Sequence, residues 1–260
     1  KKIDPATASG TKTDLETVKV PDLEKPTVEP IPDITIDVPI SSLSRSIFSG
    51  RTILIDPGHG GSDNGISQQG LPSEKQITLA VAQKLRSTLK QAGFNAVLLR
   101  TGDTDLSMSD RNSLANRAGG DLFVSLHAGS SQDGSLEGPA CFIFDSTGIG
   151  FDSETGLKLS AQLVFQEWTK SYRFDLSKFL ASKVSERLSQ HLSVQNRGVR
   201  PAPLLPLRFL VVPGLLVEVG MLSNQNEGKK LAAKGYQEAL AKSIANGVID
   251  FFNSIRLNQD

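Results

Sequence analysis

From Arg51 onwards, short apolar runs rich in β-branched residues alternate with longer stretches whose apolar positions recur every three or four residues. Thr52-Ile53-Leu54-Ile55 is the first such run; it ends in Asp56-Pro57-Gly58 and predicts a buried strand followed by a loop. Ser73-Glu74-Lys75-Gln76 has the form of a capping box, with Ser73 at the N-cap and Gln76 folding back. Ile77, Val81, Leu85 and Leu89 follow at helical spacing, and Gly93 stops the helix. Further strands are predicted over 96–99, 122–126, 141–144 and 215–217, and further helices over 111–118, 155–172, 177–192 and 236–252. Strands alternating with helices predict one α/β domain over 51–255, a mostly parallel twisted sheet with helices on both faces.

Residues 1–50 read differently. Pro5, Pro21, Pro26, Pro30, Pro32 and Pro39 are interleaved with Asp, Glu, Lys and Thr, and apolar residues are sparse. Such a segment buries too little surface to offset its ordering entropy, so it is expected to be a Pro-rich, extended linker or tail. Only Ile34-Thr35-Ile36-Asp37-Val38 alternates well enough to form a short strand. The 28 basic and 28 acidic side chains cancel, which argues against a nucleic-acid partner. No run of 18 apolar residues is present, so no transmembrane segment is expected, and no signal peptide is visible behind Lys1-Lys2. Cys141 is alone, so no internal disulfide forms.

The chemistry gathers at strand ends. The first strand runs into Asp56-Pro57-Gly58-His59-Gly60-Gly61, another into Ser125-Leu126-His127-Ala128, and a third carries Glu218 within Leu215-Leu216-Val217-Glu218-Val219. In open parallel sheets, ligands bind outside the carboxyl ends of the strands, so these groups converge. Glu74 joins them from the first turn of the helix after the glycine-rich loop. His59, Glu74 and His127 make a His₂Glu set, which suits one Zn²⁺ with a coordination position left for water. Taken singly, each has a plainer reading: a surface histidine, a helix-start carboxylate favoured by the macrodipole, or, for Glu218, an ion-pair partner. Burying an ionisable Glu218 in an apolar strand is costly without a role. Asp56 is either an acceptor for a ligand imidazole or a turn former before Pro57. His191 sits in a polar helix end and reads as a surface residue.

At these residues the chain resembles the zinc-dependent N-acetylmuramoyl-L-alanine amidases of the Amidase_3 type. The matching pieces are Ile55 through Gly61, Glu74-Lys75, Arg111 with Ala115-Asn116-Arg117-Ala118, Asp121 through Ala128, Asn196-Arg197-Gly198-Val199, and Leu216 through Asn224. They fall in the family's order from about 51 to 253. The resemblance implies zinc binding by His59, Glu74 and His127, and Glu218 as the catalytic carboxylate. The substrate it implies is bacterial peptidoglycan, cut between the lactyl group of N-acetylmuramic acid and the L-alanine of the stem peptide. The protein is expected to be a monomer, located in the periplasm, on the cell wall or secreted. Arg197 either contacts substrate or forms a structural ion pair. Two departures stand out: Gly129 where the family often has Asn or Asp, and Pro139-Ala140 where a Phe/Val-Glu pair is more usual. Residues 145–175 are longer than in compact members; in some periplasmic relatives a helix inserted here covers the zinc until an activator protein displaces it. Glu154 and Glu167 are then the candidate occluding carboxylates; the alternative is a helix that only packs on the domain or walls the substrate groove. A zinc carboxypeptidase acting on the stem peptide and a wall-binding module without catalysis are the rival functions.

Overall fold

A computed structural model describes residues 48–145, 161–192 and 194–257, all within the unit Val38–Asp260. The strand expected at 34–38 lies outside the described residues. The six strands are β1 (Thr52–Pro57), β2 (Asn95–Leu98), β3 (Leu122–Gly129), β4 (Ala140–Phe144), β5 (Val199–Ala202) and β6 (Gly214–Met221). The helices are α1 (Glu74–Gln91), α2 (Met108–Arg117), α3 (Ala161–His191), α4 (Leu205–Arg208), α5 (Gln225–Ala232) and α6 (Lys234–Leu257). The strands form one sheet in the order β2-β1-β3-β6-β4-β5. Strands β2, β1, β3 and β6 run parallel; β4 is antiparallel to β6, and β5 pairs parallel with β4.

Alternation along the strands decides which face is thick. Ile53 and Ile55 of β1, Leu122, Val124 and Leu126 of β3, and Leu215, Val217 and Val219 of β6 face one side. There they meet Ile77, Val81, Leu85 and Leu89 of α1, Leu180, Val184 and Leu188 of α3, and Leu240, Ile244 and Val248 of α6. The intervening residues Leu54, Phe123 and Leu216 face a smaller cluster with Ala115 of α2, Leu207 of α4 and Leu210. Each such side chain, fully buried, contributes roughly 1.5–3 kcal/mol. Helices thus cover both faces of a mostly parallel sheet, unequally.

Several bounds differ from expectation for identifiable reasons. Helix α2 begins three residues early because Ser107 caps it, its Oγ accepting from Asp110 N at 3.1 Å. From residue 161 on, the helices expected over 155–172 and 177–192 are one helix, α3; residues 155–160 lie outside the described residues. Nothing in Arg173-Phe174-Asp175-Leu176 breaks it, Phe174 and Leu176 pack against the main core, and Ser177 Oγ donates to Arg173 O at 2.8 Å. Strand β5 escapes the pattern because Val199-Arg200-Pro201-Ala202 carries a proline, which the sheet tolerates at its edge. The short helices α4 and α5 were not expected either. At the amino-terminal side, Phe48 is buried and stacks on Phe94 at 4.4 Å, so the packed core starts slightly before residue 51.

Candidate active site

The loop after β1 is shaped by two buried arginines. His59 adopts φ 60°, a left-handed conformation that costs a side-chain-bearing residue about 1–2 kcal/mol. Arg111 Nη2 donates to His59 O at 2.6 Å and Nη1 to Pro57 O at 3.0 Å. Arg100 donates from Nε to Pro57 O and from Nη2 to Gly58 O, both at 2.9 Å. Arg111 is itself paired with Asp56, which is fully buried and accepts Ser125 Oγ at 3.1 Å on its other oxygen. Asp56 is therefore neither a turn former nor an acceptor for a ligand imidazole. Strand β1 continues through it to Pro57, and its carboxylate is turned onto Arg111 of α2 instead.

Within this frame, His59, Glu74 and His127 come together. Glu74 opens α1 directly after the Ser73 cap, with Gln76 folded back onto Ser73 N at 2.9 Å. Its Oε1 lies 3.1 Å from His59 Nε2 and 3.0 Å from His127 Nδ1, and accepts Ala128 N at 2.9 Å. Its Oε2 accepts Ile66 N at 2.9 Å. One ligand atom from each of the three residues falls within 4.8 Å of the others. The two imidazoles meet edge-on, with ring centroids 4.9 Å apart. Asp63 Oδ2 is 2.7 Å from His59 Nδ1, so His59 offers its Nε2 to the common point. Gly65 closes the loop at φ 60°, and a Cβ there would lie 2.5 Å from Glu74 Oε2. Two imidazole nitrogens and a carboxylate oxygen, half open to solvent above a buried carboxylate, form a donor set that can hold a metal ion.

Without a cation these groups hold one another's charge. Burial works against ionisation of Glu74. The bonds with His127 and His59 and the N–H groups of Ile66 and Ala128 outweigh it, and keep the carboxyl well below the usual range. The bond to Glu74 raises the pKa of His59; burial opposes this and Asp63 adds to it.

Glu218 stands beside this cluster. On β6 it is in register with His127 of β3 and with Ala140 of β4, so all three share one sheet face, neighbouring strands being about 4.8 Å apart. Its Oε2 pairs with Arg197 Nη2, and Arg197 Nε donates to Gly138 O at 2.8 Å. Arg197 thus has the geometry of an ion pair with Glu218. At the departure noted above, a Cβ on Gly129 would lie 2.4 Å from Met221 Sδ and 3.1 Å from Glu218 Oε2. Met221 fills the space a side chain at 129 would need.

Residues 53–250 match the family described as N-acetylmuramoyl-L-alanine amidase. The chain belongs to the Amidase_3 family. The amidase is 28% identical over 228 residues to N-acetylmuramoyl-L-alanine amidase AmiA of Salmonella typhimurium, covering 81% of this chain and 79% of that protein. Among solved structures, it matches an N-acetylmuramoyl-L-alanine amidase from Clostridium difficile 630 with a TM-score of 0.65 at 30% identity, over 78% of this chain and 97% of that one. It matches the CwlD amidase of Clostridioides difficile, solved in complex with the GerS lipoprotein, with a TM-score of 0.65 at 25% identity, over 79% and 100% of the two chains.

Of the residues singled out from sequence, the fold brings His59, Glu74, His127, Glu218 and Arg197 to one end of the sheet. Glu154 lies outside the described residues, as does the side chain of Glu167, whose backbone belongs to α3. Sequence reasoning missed Asp63, Arg100 and Glu227. Glu227 is buried and accepts Gly138 N at 3.0 and 2.9 Å and Met221 N at 2.7 Å, tying the ends of β4 and β6 together next to Glu218. The signal was there: Asn224 caps α5, and Glu227 sits at the position of a capping-box glutamate. Its carboxylate instead accepts from Met221 N, at the end of β6, and across the fold from Gly138 N.

Proposed function

We propose that the amidase hydrolyses the amide bond between the lactyl group of N-acetylmuramic acid and the L-alanine of the stem peptide, with Zn²⁺ held by His59, Glu74 and His127. The observation that carries this reading is the convergence of two imidazoles and one carboxylate within 4.8 Å, beside a carboxylate on the adjacent strand. Zn²⁺ in that place would supply a Lewis acid and a water acidified towards neutrality, with a pKa of roughly 7.

The chain's own groups do the rest. Glu218 takes the proton of the attacking water and delivers it to the departing L-alanine nitrogen. Arg197 grips Oε2 of Glu218, which leaves Oε1 to face the water. Asp63 holds the proton of His59 on Nδ1, so the Nε2 lone pair stays directed at the metal position. Backbone N–H groups of Ile66 and Ala128 fix the Glu74 carboxylate so that it need not reorganise.

Because the substrate lies outside the cytoplasm, the proposed location is the periplasm, the cell wall or the medium. Among the described residues no helix is long and apolar enough to cross a membrane. An activator acting through residues 145–175 is a separate proposal, supported by resemblance to regulated relatives. Deleting residues 150–170 should raise basal activity, and no gain contradicts gating. For the reaction itself, purified protein loaded with zinc should release intact stem peptides from defined muropeptides. Loss of a single terminal residue, read by product mass, would mean a carboxypeptidase instead.

A further inference from the structure

Next to Glu218 an open groove of about 480 Å³ runs between the loop entering β4, with Ser135 and Glu137, and the segment entering β5, with Gln195, Arg197 and Arg200. That volume is within the range of small-ligand sites. Its two walls touch where Gly138, at φ 95°, passes under Gln195; a Cβ at 138 would fall 1.6 Å from Gln195 O, so no other residue fits. Asn196 is committed to the fold, its Nδ2 donating to Ser185 O at 2.6 Å and Ser189 Oγ at 2.8 Å. Arg197 is committed to Glu218 and Gly138.

Arg200 is different. It is exposed, its Nε donates to Arg197 O at 3.3 Å, and its two terminal nitrogens meet no protein acceptor among the described residues. Register places it with respect to the reacting centre. Arg200 pairs with Phe142 of β4, which pairs with Leu216 of β6, two residues before Glu218. Arg200 and Glu218 therefore share a sheet face, two strands apart and two residues offset, which is roughly 12 Å between their Cα atoms. Two residues of extended peptide span about 7 Å, and the long guanidinium side chain closes the remainder.

We infer that this groove is a subsite for a carboxylate carried by the stem-peptide residue that follows L-alanine, with Arg200 as the residue that determines specificity. The inference rests on the amide-hydrolysis reading above. A guanidinium with both terminal nitrogens free offers a fork that matches a carboxylate with two parallel hydrogen bonds, and a carboxamide satisfies only part of it. Glu137 on the opposite wall disfavours an anion that does not reach Arg200, so the groove discriminates by position as well as by sign.

Two synthetic muramyl tripeptides, identical except for a free carboxylate or a carboxamide on the second stem residue, test this with zinc-loaded enzyme. Wild type should favour the carboxylate by about tenfold in kcat/KM, the worth of one charge-assisted hydrogen bond. In Arg200→Gln the preference should collapse towards unity through KM rather than kcat, and Arg200→Lys should keep part of it. Equal turnover of the two peptides by wild type, or an unchanged preference in Arg200→Gln, overturns the subsite and leaves amide hydrolysis standing. Turnover of neither peptide by wild type overturns the hydrolysis reading and the subsite with it.

Discussion

Replacing Arg111 by Met should unfold the site from beneath. The guanidinium is buried and donates to Asp56, to Pro57 O, to His59 O and, at 3.2 Å, to Leu106 O. Met fills much of the same volume but leaves the fully buried Asp56 carboxylate with Ser125 Oγ as its one remaining hydrogen-bond partner among the described residues. Breaking a buried pair from one side costs about 3–5 kcal/mol, mostly because of the charge left behind. For a domain of this size each kcal/mol moves Tm by about 2–4 °C, so metal-free Arg111→Met should melt roughly 6–20 °C below wild type. Arg111→Met combined with Asp56→Asn removes the orphaned charge and should recover part of that loss. The second consequence is local: with His59 O released, the positive-φ conformation loses its support and zinc affinity should fall. Urea denaturation of the metal-free protein and a zinc titration read both effects. Stability within about 1 kcal/mol of wild type, together with unaltered zinc affinity, would refute the idea that the Asp56–Arg111 pair holds the loop.

Other outcomes follow from the same geometry. Glu218→Gln should bind zinc as wild type does and lose turnover by about 10²–10⁴-fold; activity that survives removes Glu218 as general base. Gly65→Ala should weaken zinc binding more than it lowers stability, because its Cβ collides with Glu74 Oε2 and His59 Cδ2; calorimetry that finds zinc binding intact contradicts this. In the metal-free protein the proton on His59 stabilises the fold fully below the usual histidine value of 6.5, and that contribution is lost as pH rises through the raised pKa. Zinc must displace this proton, so its affinity should climb with pH across the same window; an affinity that stays flat there would count against Nε2 of His59 as a ligand.

How much of this could be read from the residues differs from element to element. Helix α1 was legible because its signals agree: a capping box at Ser73 and apolar residues every third or fourth position, all buried in the fold. The ligand set was legible for a topological reason. His127 and Glu218 lie near the carboxyl ends of central parallel strands, and Glu74 opens the helix that follows β1, so the sheet brings them together whatever the detail of the loops. Strand β5 was not legible, since four residues with a central proline carry no period. The join within α3 is not legible because its two apolar stretches carry separate patterns, although no breaker lies between them. The partners of Asp56, Arg100 and Glu227 were hidden for another reason. The bonds of Asp56 to Arg111 and Ser125, of Arg100 to Pro57 and Gly58, and of Glu227 to Gly138 span separations that only the folded chain closes, and a charged residue gives no local sign of which carbonyl or amide it will meet. The side chain of His191, in contrast, is exposed at the end of α3 with Nδ1 2.9 Å from Arg187 O, in keeping with a surface residue.

The most direct test is X-ray absorption at the zinc edge on the purified, stoichiometrically loaded protein. Two imidazole nitrogens, one carboxylate oxygen and one water-derived oxygen around a single zinc are the predicted result, with one imidazole lost in His127→Ala if any metal remains. A shell containing a third imidazole from His191 or sulfur from Cys141, or a protein that holds no stoichiometric zinc, would contradict the site described.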